Sequence, residues 1–116
     1  MSAALIYHLA RAPEWAVAEQ SGIYHGAAED RRDGFLHFSA GEHIRESAAR
    51  HRSGETGLLV VEVRAADLGE ALKWEISRNG IAFPHLYGPL TLQAVTRTAP
   101  LPLDEAGQHI FPDWVV

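Results

Sequence analysis

At 116 residues, 47% hydrophobic and 22% charged, the chain has the size and composition of one globular domain with a single core. Its net charge of −5 disfavours a nucleic-acid partner, because the arginines stand singly or in pairs with acids beside them, although a local patch could still hold a phosphate. Cysteine is absent, which excludes disulfides, zinc ribbons and thiol nucleophiles.

No basic leader opens the sequence, and no apolar run approaches the roughly 18 residues of a membrane span. A cytoplasmic protein without membrane contact is therefore expected. Residues 5–10 read as a strand with Leu5, Tyr7 and Leu9 on one face and Ile6, His8 and Ala10 on the other. Ala12-Pro13 opens a helix, since proline suits a first turn; Trp15, Ala16 and Val17 are expected to face inward, and Ser21-Gly22 to end it. Residues 23–25 form a short strand and residues 27–33 a charged loop. The next strand covers residues 35–38, with Phe35, His37 and Ser39 on one side and Leu36 and Phe38 on the other. Ser39-Ala40-Gly41-Glu42 matches a capping box, so a helix begins there and runs to about Arg52. Its thin apolar stripe, Ile44, Ala48 and Ala49, suits a helix lying on a sheet.

Residues 58–63 are almost all β-branched residues or leucine, the pattern of a central strand covered on both faces. A helical turn is expected at residues 65–69. An edge strand follows at 72–76, with Trp74 and Ile76 facing in and Lys73 and Glu75 facing away. Asn79-Gly80 marks a tight turn. Residues 92–98 form the last strand before a proline-punctuated tail carrying Phe111 and Trp114. The sum is a single α+β domain over residues 1–116 with two main helices and five or six strands, lacking the βαβ rhythm of a doubly wound sheet.

Seven histidines stand against one lysine. His25, His43, His51 and His109 fall in helix or loop settings and read as surface residues. His8, His37 and His85 lie among apolar neighbours in extended segments. Each could be a core imidazole bonded to backbone, but together they suggest one pocket built from three segments. Ser39 reads as a helix cap whose hydroxyl still has a proton to donate outward, beside a helix start able to attract an anion. Phe83-Pro84-His85-Leu86-Tyr87-Gly88-Pro89 reads as a stiff loop with His85 and Tyr87 on one face, suited to stacking on a flat ring, or alternatively as a hydrophobic plug. Glu75 reads as a solvated edge residue, or, if it points into the pocket, as a group that steadies a cationic transition state. No P-loop, G-x-G-x-x-G, G-x-S-x-G or His-Glu-x-x-His motif is present, and no metal is expected.

Ile6-Tyr7-His8, Gly34-Phe35-Leu36-His37-Phe38-Ser39, Lys73-Trp74-Glu75 and Phe83-Pro84-His85-Leu86-Tyr87-Gly88 together resemble the bacterial domain of unknown function 952 family, over nearly the whole chain. That resemblance implies an ADP-ribosyltransferase-like split β-sheet and NAD, or a related small-molecule nucleotide, as cofactor. It also implies His8, His37, Ser39 and Tyr87 as cofactor-binding residues and Glu75 and His85 as catalytic ones. His8 would contact a ribose hydroxyl. The third-motif place would be filled by Glu75 or by the His85-Tyr87 segment. Transfer or hydrolysis of ADP-ribose is the implied activity; a non-catalytic module binding a nucleotide or a protein partner is the alternative.

Overall fold

The computed structural model describes residues 4–115, apart from the side chain of Arg78. In chain order the elements are β1 (Leu5–Arg11), α1 (Ala12–Ser21), β2 (Ile23–Tyr24), α2 (Ala28–Asp33), β3 (Leu36–His37), β4 (Ser39–Ala40), α3 (Gly41–His51), β5 (Leu58–Arg64), β6 (Leu72–Ile76), β7 (Ala82–Leu86), β8 (Leu90–Thr91) and β9 (Val95–Pro100). Short 3-10 segments cover Ala65–Ala71, Arg78–Gly80 and Leu92–Ala94.

The apolar run of β5 forms a central strand, as its composition predicts. Val60, Val61 and Val63 are fully buried, and β5 is flanked by β1 and β9 in a four-stranded sheet of order β4-β1-β5-β9. β1 pairs antiparallel with β5 along its whole length, from Leu5 opposite Arg64 to Arg11 opposite Leu58. Because strand side chains alternate, the two faces of β1 feed two different clusters. Ile6 and Ala10 join Trp15, Tyr24, Leu36 and Phe38 on one side, while Tyr7 joins Ile44, Leu58, Leu101 and Val115 on the other.

A second sheet, of order β3-β7-β6, has β7 at its centre and β6 at its edge, and β2 pairs with β8 in a two-stranded ribbon. The expected ADP-ribosyltransferase-like split sheet with two main helices is not what forms. Among the described residues there are three α-helices and three separate sheets. One reason lies at Phe38. The stretch expected as a single strand divides there, Leu36–His37 pairing with β7 and Ser39–Ala40 with β1. Phe38 is 2% exposed between them and donates its backbone N–H to the Pro84 carbonyl at 3.0 Å. The chain thus passes from one sheet to the other without a loop.

The other reason is α2, where a charged loop is expected. The Asp30 carboxylate accepts the Ala27 backbone N–H at 2.7 Å, satisfying one donor left open at the helix start. Gly34, at φ 88°, closes the far end with its N–H on the Asp30 carbonyl. Four further expectations shift. Trp15 and Ala18, not Ala16 and Val17, are the buried positions of α1. α3 takes Ala40 as its N-cap, so the Ser39–Glu42 box does not form. Trp74 and Ile76 are exposed, because β6 is an edge strand whose outer face nothing among the described residues covers. The stretch read as a stiff loop is the strand β7, with Pro84 within it.

Candidate functional site

Between the two larger sheets lies a cavity of about 300 Å³, at the small end of ordinary ligand sites. His8 and Leu9 reach it from β1, and His37, Phe38 and Ser39 from the crossing between sheets. Phe83 and His85 come from β7, and Asp30 and Asp33 from α2. Ser47 and His51 reach it from α3, and Arg52 from just beyond that helix. The three imidazoles singled out in the sequence therefore border one hollow, together with Ser39. Tyr87 and Glu75 lie behind His85 rather than on the cavity wall.

His8 is 3% exposed, and both its ring nitrogens are engaged within the protein. Nδ1 lies 2.7 Å from the His37 carbonyl oxygen, so it donates; Nε2 lies 2.7 Å from the Tyr24 hydroxyl. Burial pulls the His8 pKa below its usual value against the opposing pull of Asp30. Burial likewise raises that of the Tyr24 hydroxyl, with the charge of Asp30 adding to it. These shifts agree on one arrangement, a neutral His8 with its proton on Nδ1 and Tyr24 donating to Nε2. His8 ties β1 to β2 and β3.

Asp30, 4% exposed, is the hub of the site. Besides the Ala27 N–H it accepts the backbone N–H of His37 at 2.9 Å and stands 2.7 Å from His37 Nδ1. Burial alone would raise its pKa, but the hydrogen bonds from His37 and the nearby His8 outweigh burial and hold it at about 2. The other nitrogen of His37, Nε2, meets Asp33 at 3.0 Å. His37 is thus clasped between two carboxylates, with its ring side chain 41% exposed.

Ser39 does not cap the helix; its Oγ sits 2.9 Å from Ser47 Oγ inside α3, pinning β4 to that helix. Arg52 and Arg32 are the cations of the wall, and Arg52 is the more buried of the two. The Arg52 guanidinium lies 3.5 Å from Glu29, while its Nε is buried without a hydrogen-bond partner among the described residues. Glu29 is held in turn by two bonds from Arg11, at 2.9 and 3.0 Å, which bring its pKa down to about 2. The cavity therefore presents fixed carboxylates, hydroxyls and two guanidiniums side by side, Arg52 beside Glu29 and Arg32 paired with Asp33.

The floor of the second sheet is an aromatic cluster. Phe35 stacks on His85 at 4.1 Å between ring centres and lies 5.2 Å from Tyr87. His85 and Tyr87 do share a face, and both donate to a single oxygen of Glu75, at 2.7 and 2.8 Å. Those bonds lower the pKa of Glu75 and raise that of Tyr87.

Asp30, Asp33, Ser47, His51 and Arg52 are site residues that sequence reasoning missed. Asp30 and Asp33 sit in a run of charges that reads as solvated, and Ser47, His51 and Arg52 read as ordinary helix or surface positions. The contact of Asp33 with His37 and the sheet crossing at Phe38 are visible only once the chain is folded. Among the described residues, no group of three His, Asp or Glu side chains is arranged to hold a metal ion. No helix among them is long and apolar enough to cross a membrane.

The family model described as "Protein of unknown function (DUF952)" matches residues 9–98, and the chain belongs to that family. The crystal structure of protein CC0527 from Caulobacter crescentus is similar at 46% identity, covering 96% of this chain and 97% of that one, with a TM-score of 0.91. The solution NMR structure of CC0527 is similar at 48% identity over 90% of each chain, with a TM-score of 0.80. No curated protein matches the chain.

Proposed function

We propose that the cavity binds a nucleotide, with NAD or a close relative as the ligand, and that the ADP-ribosyl group is transferred or hydrolysed there. The observation that carries the reading is the meeting of His37, His85, Ser39 and Arg52, from three separate segments, at one hollow between two sheets. A nucleotide asks for this mixture. Its sugar hydroxyls donate to carboxylates such as Asp33 and Glu29, and its phosphate is drawn to a guanidinium such as Arg52. Phe38 and Phe83 supply apolar wall for a flat ring. The cavity volume suits one nucleotide half, the remainder of a dinucleotide lying toward the rim. His8 supports the wall rather than contacting the ligand through a free ring nitrogen, since both of its nitrogens are taken.

The position of Glu75 favours a second reading, a binding module without turnover. A carboxylate that steadies a cationic sugar must face it, and Glu75 is turned to His85 and Tyr87 outside the cavity wall. Titration calorimetry with NAD and with ADP-ribose tests the shared core of both readings. Binding of either below millimolar, weakened at least tenfold by Arg52→Ala, is the expected result. No heat from either ligand at millimolar concentration would sink it. Release of nicotinamide then separates turnover from binding alone.

A further inference from the structure

Resting on the nucleotide reading, we infer that His85 is the acid–base group of this site and that Glu75, with Tyr87, is the device that aims it.

Four observations converge. His85 borders the cavity, whereas Glu75 does not. Glu75 lies 2.7 Å from His85 Nδ1, and a carboxylate can only accept, so the ring's proton is fixed on Nδ1. Nε2 then carries the lone pair, and it has no hydrogen-bond partner among the described residues. The ring itself is locked, stacked on Phe35 at 4.1 Å on a strand in the middle of its sheet. Tyr87 donates to the same Glu75 oxygen at 2.8 Å, which stops the carboxylate swinging away. A carboxylate that fixes the tautomer of an imidazole bordering a cavity, and leaves its far nitrogen unbonded, is the geometry of a general base.

The groups facing this ring from each neighbouring element are Glu75 and Lys73 on β6, His37 on β3 at 5.7 Å between ring centres, and Tyr87 on its own segment. His37 is committed to Asp30 and Asp33. Of the two imidazoles, His85 is the one with a nitrogen to spare.

The step balances with water as the co-reactant. Nε2 takes a proton from water as the water oxygen bonds to the anomeric carbon of the nicotinamide riboside. The carbon–nitrogen bond breaks, its electron pair leaves with neutral nicotinamide, and the imidazolium then gives its proton to solvent. An acceptor hydroxyl in place of water gives transfer instead of hydrolysis. Glu75 is a positioning residue in this scheme and His85 the catalytic one.

The test pairs binding with turnover. Wild type, His85→Ala and Glu75→Ala are compared by calorimetry with NAD and by the rate of nicotinamide release. Glu75→Ala, which lies off the cavity wall, should bind NAD within about twofold of wild type, and both variants should lower kcat by at least about a hundredfold. Nitrogen-15 NMR of histidine-labelled protein should show His85 with its proton on Nδ1, and Glu75→Ala should release that preference. A wild type that binds NAD but releases no nicotinamide, or a His85→Ala variant as fast as wild type, overturns the role of His85 and leaves the nucleotide site standing. A proton found on Nε2 in wild type overturns the role of Glu75. Failure of wild type to bind NAD overturns the nucleotide reading and this role with it.

Discussion

Replacing Asp30 by asparagine removes one charge at the point where α2, β1 and β3 meet. The side chain keeps its size, so the effect reads the electrostatics of the hub rather than a cavity. The Asp30 carboxyl titrates at about 2, against an ordinary value of 3.8. Just under two pKa units at roughly 1.4 kcal/mol each gives about 2.5 kcal/mol of stability at neutral pH. The sign follows from the depressed value. Between the two pKa values the unfolded chain binds the extra proton, so stability is complete above about pH 4 and drains away as pH falls toward about 2. Asparagine resembles the protonated carboxyl and should mimic the acid end of that curve at every pH. Urea denaturation of both proteins at pH 7, 5, 4 and 3 is the assay. The expected result is a gap of about 2.5 kcal/mol at pH 7, a fall in Tm of roughly 10 °C, and a gap that closes as pH drops below 4. A gap of the same size at every pH would refute the argument, because it would place the loss in shape or hydrogen bonding and not in the charge.

Gly26 is held at φ 92°, and an added Cβ would lie 2.7 Å from Asp30 Cβ and 2.9 Å from Leu36 Cδ2. Gly26→Ala should therefore cost roughly 3 kcal/mol by thermal melt, whereas Gly54→Ala, at φ 74° in open space, should cost roughly 1 kcal/mol for the backbone alone. Equal losses would show that the crowding against Asp30 does not matter. His8→Ala should destabilise by roughly 3 kcal/mol, since it strands the Tyr24 hydroxyl and the His37 carbonyl in a buried setting. His85→Ala should cost only about 1 kcal/mol, because its one hydrogen bond goes to the half-exposed Glu75. A His8 variant that melts like wild type would mean that its bonds hold nothing together.

The sequence determines the parts of this molecule governed by short-range pattern. The β-branched run at 58–63, the alternation in residues 5–10, Pro13 at the start of α1 and Gly22 at its end all act within a few residues, and each forms what its chemistry predicts. Three of the imidazoles at the cavity, His8, His37 and His85, are also marked by their apolar neighbours, which is an equally local signal. Tertiary structure decides what depends on distant partners. Whether Asp30 is solvated or buried turns on His37 folding back over α2, and a run of charged residues carries no sign of that. Ser39 has the spacing of a cap, yet its hydroxyl goes to Ser47 because β4 pairs with β1 and leaves Ala40 to start the helix. Trp74 and Glu75 take their faces from the pairing of β6 with β7, since alternation fixes which residues share a side and cannot say which side meets the core. Alternation, caps and turns are contests over a few ångströms of chain. The pairing of three sheets, and the hollow left between two of them, is settled by contacts between segments tens of residues apart.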